Sequence, residues 1–166
     1  YGLYSSYPVD PGTLRSLNPD ETAPFGGNLS LLVRAVNGCG GFDPGFGRVG
    51  TSLISGEETV LLEAMRKSAG EIWITGAARI RHHIPPERTK FVWVLRRAVA
   101  WGRTEQRLGS GKALRVTEMV GHLLFRGLRL LVKRRSLSLA VLAEYVVHRA
   151  YWVGRLAEVV AQRRAR

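Results

Sequence analysis

The amino-acid sequence predicts an α/β fold over residues 1–109, followed by a basic helical tail over residues 110–166. Helical and β-like patterns alternate between Ser55 and Arg107, whereas the chain beyond Gly109 shows only long helical periodicity. The chain has 166 residues and a hydrophobic content of 45%, which is enough to bury a core. This length fits one domain with an appendage better than two complete domains.

The N-terminal part of the chain is expected to be irregular. Residues 1–23 are rich in Pro, Ser, Gly and Tyr and show no sustained period, which predicts a loop. An apolar run at residues 29–36 lies between clusters of glycine, which either permit close approach of the backbone to a ligand or only form a loop. Because the first residue is Tyr1 and not Met, we expect the chain to be a fragment of a longer protein.

A helix is predicted from about residue 56 to residue 69. Ser55 and Glu58 have the spacing of a capping box, in which the two side chains bind backbone N–H groups of the first turn. The apolar face of this helix comprises Val60, Leu61, Ala64 and Met65. Gly70 is suited to end the helix.

Two short strands and a second helix are predicted next. Residues 71–75 and 78–82 alternate in polarity and contain β-branched side chains, and Gly76 separates them. The proline pair at residues 85–86 suits the start of a helix that runs to about Arg107. Strands and helices therefore alternate in this part of the chain.

Two amphipathic helices are predicted in the tail, at about residues 112–134 and 137–163. Polar residues recur at spacings of three and four and form a stripe along each helix. His122 and His148 lie on these stripes, where we expect them to be solvated. The apolar arcs are wide, so they must pack on the main domain, on another chain or on a membrane face. No run of ~18 uninterrupted apolar residues occurs, and we predict no membrane-spanning helix.

The net charge of +12 is concentrated in the second half of the chain. Residues 1–78 carry 5 Lys and Arg against 8 Asp and Glu, whereas residues 79–166 carry 20 against 5. Such a half can neutralise nucleic-acid phosphates, anionic lipid head groups or the diphosphate of a sugar nucleotide. We expect no nucleic acid, because no binding signature occurs and the aromatic residues do not alternate with basic ones. Cys39 is the single cysteine, which excludes a disulfide framework within this sequence.

Five strings of the sequence together resemble the C-terminal half of the catalytic domain of family 2 glycosyltransferases. They are FGGN at 25–28, GGFDPGFG at 40–47, SGEET at 55–59, ARIRHHIPPER at 78–88 and RRAVAWGRT at 96–104. Their order and spacing match over about residues 20–110, and the combination is more specific than any single string. The family's Asp-x-Asp motif and its nucleotide-binding opening have no counterpart in this sequence.

The resemblance implies a partial glycosyltransferase-A fold, a mixed sheet with helices, represented mainly by its acceptor-side half. It implies inverting transfer of a sugar from a nucleotide-diphosphate sugar to a hydroxyl of a glycan, a lipid-linked acceptor or a polysaccharide precursor. Glu58 falls on the family's general base, which is usually Asp, so either Glu58 reaches slightly further or Glu57 shares the role. From the residues alone, the capping box remains the other explanation of Glu58.

The same resemblance assigns the remaining site residues. His82 matches a histidine that helps to hold a divalent metal, Mn²⁺ or Mg²⁺, whose main carboxylate ligands are expected in the N-terminal half of the family domain. A histidine that is hydrogen-bonded at the end of a strand is the alternative. The substrate-binding positions are Gly27, Asn28, Asp43, Arg88, Trp101 and Arg103. An aromatic residue at helical spacing is more often a core residue, and Asn and Asp also cap turns.

Two functional hypotheses follow. The first is a metal-assisted glycosyltransferase of cell-envelope polysaccharide biosynthesis, cytoplasmic or peripheral on the inner face of the membrane, of which this chain alone is inactive. The second is a non-enzymatic basic module that docks on an anionic membrane or on a partner protein. It rests on arginines near apolar surface at the ends of the tail helices, namely Arg134, Arg135, Arg163, Arg164 and Arg166.

Overall fold

The computed structural model of the chain has a mixed α/β structure that is mainly helical. It describes residues 9–21, 26–68, 70–109, 116–122 and 138–165. The elements in chain order are β1 (Leu14–Ser16), α1 (Val33–Gly38), α2 (Glu57–Lys67), β2 (Trp73–Thr75), α3 (Phe91–Leu108), α4 (Val116–Gly121) and α5 (Leu139–Arg164). Short 3-10 turns lie at Gly26–Asn28 and Pro86–Thr89.

The described residues form two compact units. The first contains those up to Phe46 together with Gly56–Ile84, and the second contains Gly47–Ser55 together with those from Pro85 onward. Helix α3 therefore belongs with α5, whereas the sequence predicted a division at residue 109. Of the predicted helix at 112–134, α4 is described, and residues 123–134 lie outside the described part of the chain.

The first unit is built on α2 and a two-stranded antiparallel sheet. Strands β1 and β2 pair with Leu14 opposite Thr75 and Ser16 opposite Trp73. Because side chains alternate across a strand, Ile74 points to the face that meets the helix. The buried core that joins helix and sheet consists of Leu17, Leu61, Leu62, Met65, Ile72 and Ile74.

Helix α2 confirms the helix predicted at about 56–69, but the predicted capping box is wrong. The residue at the N-cap is Gly56, whose φ of 101° is a left-handed conformation that favours glycine. No side chain caps this end of the helix. The Ser55 hydroxyl instead accepts a hydrogen bond of 3.2 Å from the Arg97 guanidinium. At the other end, Gly70 donates its N–H to the Met65 carbonyl over 2.9 Å, as expected of a residue that closes a helix.

The sheet differs from its prediction. Strand β2 confirms the run at 71–75, but residues 78–82 form no strand and are exposed. The partner of β2 is β1, which lies within the segment predicted to be a loop. A Cβ at Gly76 would overlap the Asp10 carbonyl, so the chain passes too close to Asp10 there for any side chain. Strands β1 and β2 are nearly 60 residues apart in the chain, so their pairing depends on tertiary packing. A local sequence pattern does not predict such a pairing.

Helices α3 and α5 form the second unit through a close approach of their backbones. A Cβ at Gly102 would overlap the Tyr151 carbonyl, and a Cβ at Gly154 would overlap the Val99 carbonyl. Ala98 and Ala100 are also buried on α3. Small residues at a helix crossing permit this short interaxial distance.

A polar cluster joins the same two helices. Glu158 is 4% exposed and accepts from Arg103 Nε at 2.9 Å and Arg107 Nε at 2.7 Å. Burial raises the pKa of the Glu158 carboxyl, but hydrogen bonds and charge from the two arginines outweigh burial, and the net pKa is lowered. Tyr151 donates to the Glu105 carboxylate, and burial together with Glu105 raises the pKa of Tyr151 to about 12. Of the polar stripe predicted on α5, Arg155 and Glu158 face α3, whereas Glu144 and Gln162 are exposed.

The expectation that His122 and His148 are solvated is wrong. The His122 ring is stacked on Trp152, with ring centroids 4.3 Å apart. His148 Nε2 accepts a hydrogen bond of 3.1 Å from Trp152 Nε1. Trp152 is itself buried, so both imidazoles are held against an aromatic residue of the second unit.

A helix that crosses a bilayer must be both long and apolar. Within the described ranges, no helix has both the length and the apolar composition that crossing a bilayer requires.

Alanine at Gly102 or Gly154, where α3 and α5 cross, should destabilise the second unit. We expect Gly102→Ala and Gly154→Ala each to lower the free energy of unfolding by ~1–3 kcal/mol or more, because the added Cβ meets rigid backbone. Gly121→Ala is the matched control, since a Cβ there would meet nothing within 4 Å. That variant should be neutral or stabilised by up to ~1 kcal/mol. Urea unfolding followed by circular dichroism measures all three, and equal stability of all variants would contradict this account of the crossing.

Acid should weaken the pairing of α3 and α5 through Glu158. Its folded pKa lies below the ordinary value of 4.5, so the ionised form contributes stability above about that pH, and the contribution is lost as pH falls through the folded pKa. Glu158→Gln should remove this part of the pH dependence and cost ~1–3 kcal/mol at neutral pH. Thermal unfolding between neutral and acidic pH gives the profile. Glu144→Gln, at an exposed position of α5, should keep the wild-type slope.

Candidate functional site

The two acidic residues singled out by the sequence, Glu57 and Glu58, are the first two residues of α2. Both are partly buried. Glu58 Oε1 accepts a hydrogen bond of 3.3 Å from the backbone N–H of Gly26. Glu57 Oε2 is buried, and no described residue donates a hydrogen bond to it. The N-terminus of a helix interacts favourably with negative side chains, which suits both carboxylates to this position.

The turn at Gly26–Asn28 lies between Glu58 and the segment that follows β2. Asn28 Nδ2 donates to the Ala78 carbonyl over 2.7 Å, which ties the turn to that segment. A Cβ at Gly26 would lie 3.2 Å from Glu58 Cγ, so a larger residue would press on the glutamate. Asn28 thus acts in this structure as a turn anchor, which is one of the two roles that the sequence left open.

The neighbouring segment carries the predicted metal ligand. His82 and His83 are exposed and lie outside any strand or helix. Among the described residues there is no group of three or more His, Cys, Asp or Glu side chains that could hold a metal ion. His82 can supply one imidazole, and a complete site would need ligands from elsewhere.

Other predicted binding positions of the first unit form turns. Asp43 Oδ1 accepts from the Gly45 N–H at 2.7 Å, which is the local hydrogen bond of an Asx turn. Gly27 is exposed, and a Cβ there would lie in ordinary contact with Ile80 Cδ1 at 3.8 Å. Both contacts lie within the protein, and both residues remain exposed to solvent.

The three predicted binding residues of the second unit have protein partners. The Arg88 guanidinium lies 5.9 Å from the ring centroid of Trp93. Arg103 is ion-paired with Glu158, and Trp101 lies beneath the Arg97 guanidinium at 5.5 Å. Arg103 therefore has a helix-pairing role that the sequence analysis did not foresee.

Arg97 has a structural role that the sequence did not predict. It is 6% exposed, and its Nη1 donates to the Leu53 carbonyl at 2.7 Å as well as to Ser55 Oγ. Thr104 Oγ1, on the same face of α3, accepts from the Ser55 N–H at 3.2 Å. The seven-residue spacing of Arg97 and Thr104 places both on one face of the helix. This spacing is the feature of the sequence that could have predicted their joint role. Together they hold the chain that leads directly into Gly56 and α2.

Removing the Asn28 amide should loosen the turn against Ala78. We expect Asn28→Ala to cost ~1 kcal/mol, the usual net contribution of one such hydrogen bond, and to speed hydrogen exchange at the Gly26 amide. Asn37→Ala, an exposed amide on α1, is the control and should leave Gly26 exchange unchanged. Exchange followed by NMR tests this, and unchanged protection in Asn28→Ala would show that the turn is held by other contacts.

Comparison with known proteins adds no assignment to this geometry. The chain matches no protein-family model, no curated protein and no solved structure. The resemblance to family 2 glycosyltransferases therefore stays a prediction, carried by the five strings of the sequence and by where the structure places them.

Proposed function

We propose that this chain is the acceptor-side part of an inverting glycosyltransferase related to family 2, with a partial glycosyltransferase-A fold. The reaction would move a sugar from a nucleotide-diphosphate sugar to a hydroxyl of a glycan, lipid-linked or polysaccharide precursor. The site of action would be cytoplasmic or on the inner face of the membrane.

One observation carries the proposal. Glu58 in SGEET bonds to Gly26 in FGGN, and Asn28 in FGGN bonds to Ala78, which opens ARIRHHIPPER. Three strings that are distant in the sequence, each matched separately, lie against one another in the first unit. Adjacency of this kind is what a shared site requires, and chance similarity of isolated strings does not predict it.

Glu58 would act as the general base. In a single displacement, the acceptor hydroxyl must lose its proton as its oxygen attacks the anomeric carbon, and a carboxylate within hydrogen-bond reach accepts it. Glu58 is partly buried beside an exposed turn and its Oε1 is held by the Gly26 N–H, so the acceptor hydroxyl would approach the other carboxylate oxygen. Glu57, with a buried oxygen that no described donor reaches, would position the start of the helix or share the role.

The donor side of the reaction would depend on groups beyond these. A divalent metal, Mn²⁺ or Mg²⁺, would offset charge on the leaving diphosphate, with His82 as one ligand and the carboxylates contributed by the nucleotide-binding half. The described residues do not by themselves complete such a site. Arg88, which is partly buried over Trp93, and the exposed cations of the second unit would favour an anionic donor.

Exchange of single carboxylates tests the proposal in the protein made from the complete reading frame. With Mn²⁺ present, Glu58→Gln should reduce sugar transfer by ~10²–10⁴-fold, the usual contribution of a general base, whereas Glu57→Gln should retain much of the activity. Circular dichroism must show both variants folded. Equal activity in the two variants would leave Glu58 with a structural role only and would remove the enzyme hypothesis's main support.

A further inference from the structure

Helix α5 buries one side, which is mostly apolar but includes two charged residues, and leaves a second, aliphatic side exposed. Arg155 and Glu158 are buried and bond to α3. The opposite side carries aliphatic residues at spacings of three, four and seven, which places them along one face of the helix. This face, which we call the outer stripe, consists of Leu139, Leu142, Val146, Val153, Ala157 and Val160.

The outer stripe is exposed over most of the helix. Leu139, Leu142, Val153 and Val160 have exposed fractions between 43% and 86%. From Leu139 to Val160 the helix rises about 32 Å at 1.5 Å per residue. Contiguous apolar surface of this extent normally marks an interaction site.

Basic residues border the outer stripe. Arg149 lies beside it and stacks over Tyr145 at 4.6 Å. Arg163 and Arg164 are exposed at its C-terminal end. The sequence from residue 79 onward carries 20 Lys and Arg against 5 Asp and Glu. An occupant with negative charge is therefore favoured electrostatically.

We propose that the outer stripe docks on the surface of an anionic lipid bilayer, with α5 lying parallel to that surface. Aliphatic side chains would enter the boundary between head groups and acyl chains, while the bordering arginines would meet anionic head groups. Helix α3 bonds to Arg155 and Glu158, so these two polar side chains of α5 are satisfied within the protein when the outer stripe meets lipid.

Two other occupants fit the surface less well. A second copy of the chain would bring together two molecules that each carry a charge of +12, which opposes association. A specific protein partner would normally be met by Trp, Tyr or Arg anchors at the centre of the surface. The outer stripe contains only Leu, Val and Ala, whose burial is non-directional and suits a fluid lipid surface.

Vesicle co-sedimentation of the full 166-residue chain tests the proposal separately from sugar transfer. Wild type should bind phosphatidylcholine vesicles that contain phosphatidylglycerol more strongly than phosphatidylcholine alone, and added salt should weaken that binding. The triple variant Leu142→Gln, Val153→Gln, Val160→Gln should bind at least ~10-fold more weakly, because three aliphatic side chains no longer enter the bilayer. Val33→Gln, at a 73% exposed position of α1, changes no charge and should bind as wild type.

The outcomes separate the three occupants. Undiminished binding by the triple variant, equal binding to both vesicle types, or no binding by wild type would each overturn the proposal. A concentration-dependent dimer in sedimentation that the triple variant abolishes would assign the outer stripe to a second copy and would also overturn it. If the triple variant loses its native near-ultraviolet circular dichroism, the single variants Val153→Gln and Val160→Gln replace it. Each of these should bind ~3-fold more weakly than wild type.

Discussion

The second unit depends on the backbone contact of α3 and α5 at Gly102 and Gly154. Neither position has room for a side chain, because a Cβ would overlap a carbonyl of the facing helix. The close approach brings Arg103 and Arg107 of α3 within hydrogen-bond distance of Glu158 on α5. A buried carboxylate without these partners would be strongly destabilising, so the burial of Glu158 depends on the close approach that the glycines permit.

The same helix pairing determines which surfaces remain for other uses. Helix α5 meets α3 through Tyr151, Gly154 and Glu158, and the exposed members of the outer stripe lie on its other side. Arg97 and Thr104, on another face of α3, hold Leu53 and Ser55 and so fix the chain just before Gly56. Helix α3 therefore holds both α5 and residues 53–55 within the second unit.

In the first unit, the position of Glu58 follows from two constraints of different kinds. Gly56 adopts a left-handed conformation at the start of α2, which directs the chain into the helix without a side-chain cap. The glutamate, released from the predicted capping role, reaches the N–H of Gly26 instead. The proposed role of Glu58 as general base rests on this contact with the turn.

Local pattern in the sequence predicted helices α2, α3 and α5, but not α1. The amphipathic runs at 56–69, 86–107 and 137–163 correspond closely to α2, to α3 with its preceding 3-10 turn, and to α5, because helical hydrogen bonds are local and the apolar period records the buried face. The motifs also identified Glu58 and the glycine-rich turn as members of one region. Within the described residues, the features that escaped prediction include the pairing of β1 with β2, the hydrogen bond of Ser55 to Arg97, and the bond of buried Glu158 to Arg103. Each depends on partners 40 to 60 residues away in the chain. Only the tertiary structure decides such contacts, since a polar stripe looks the same in sequence whether water or a second helix satisfies it.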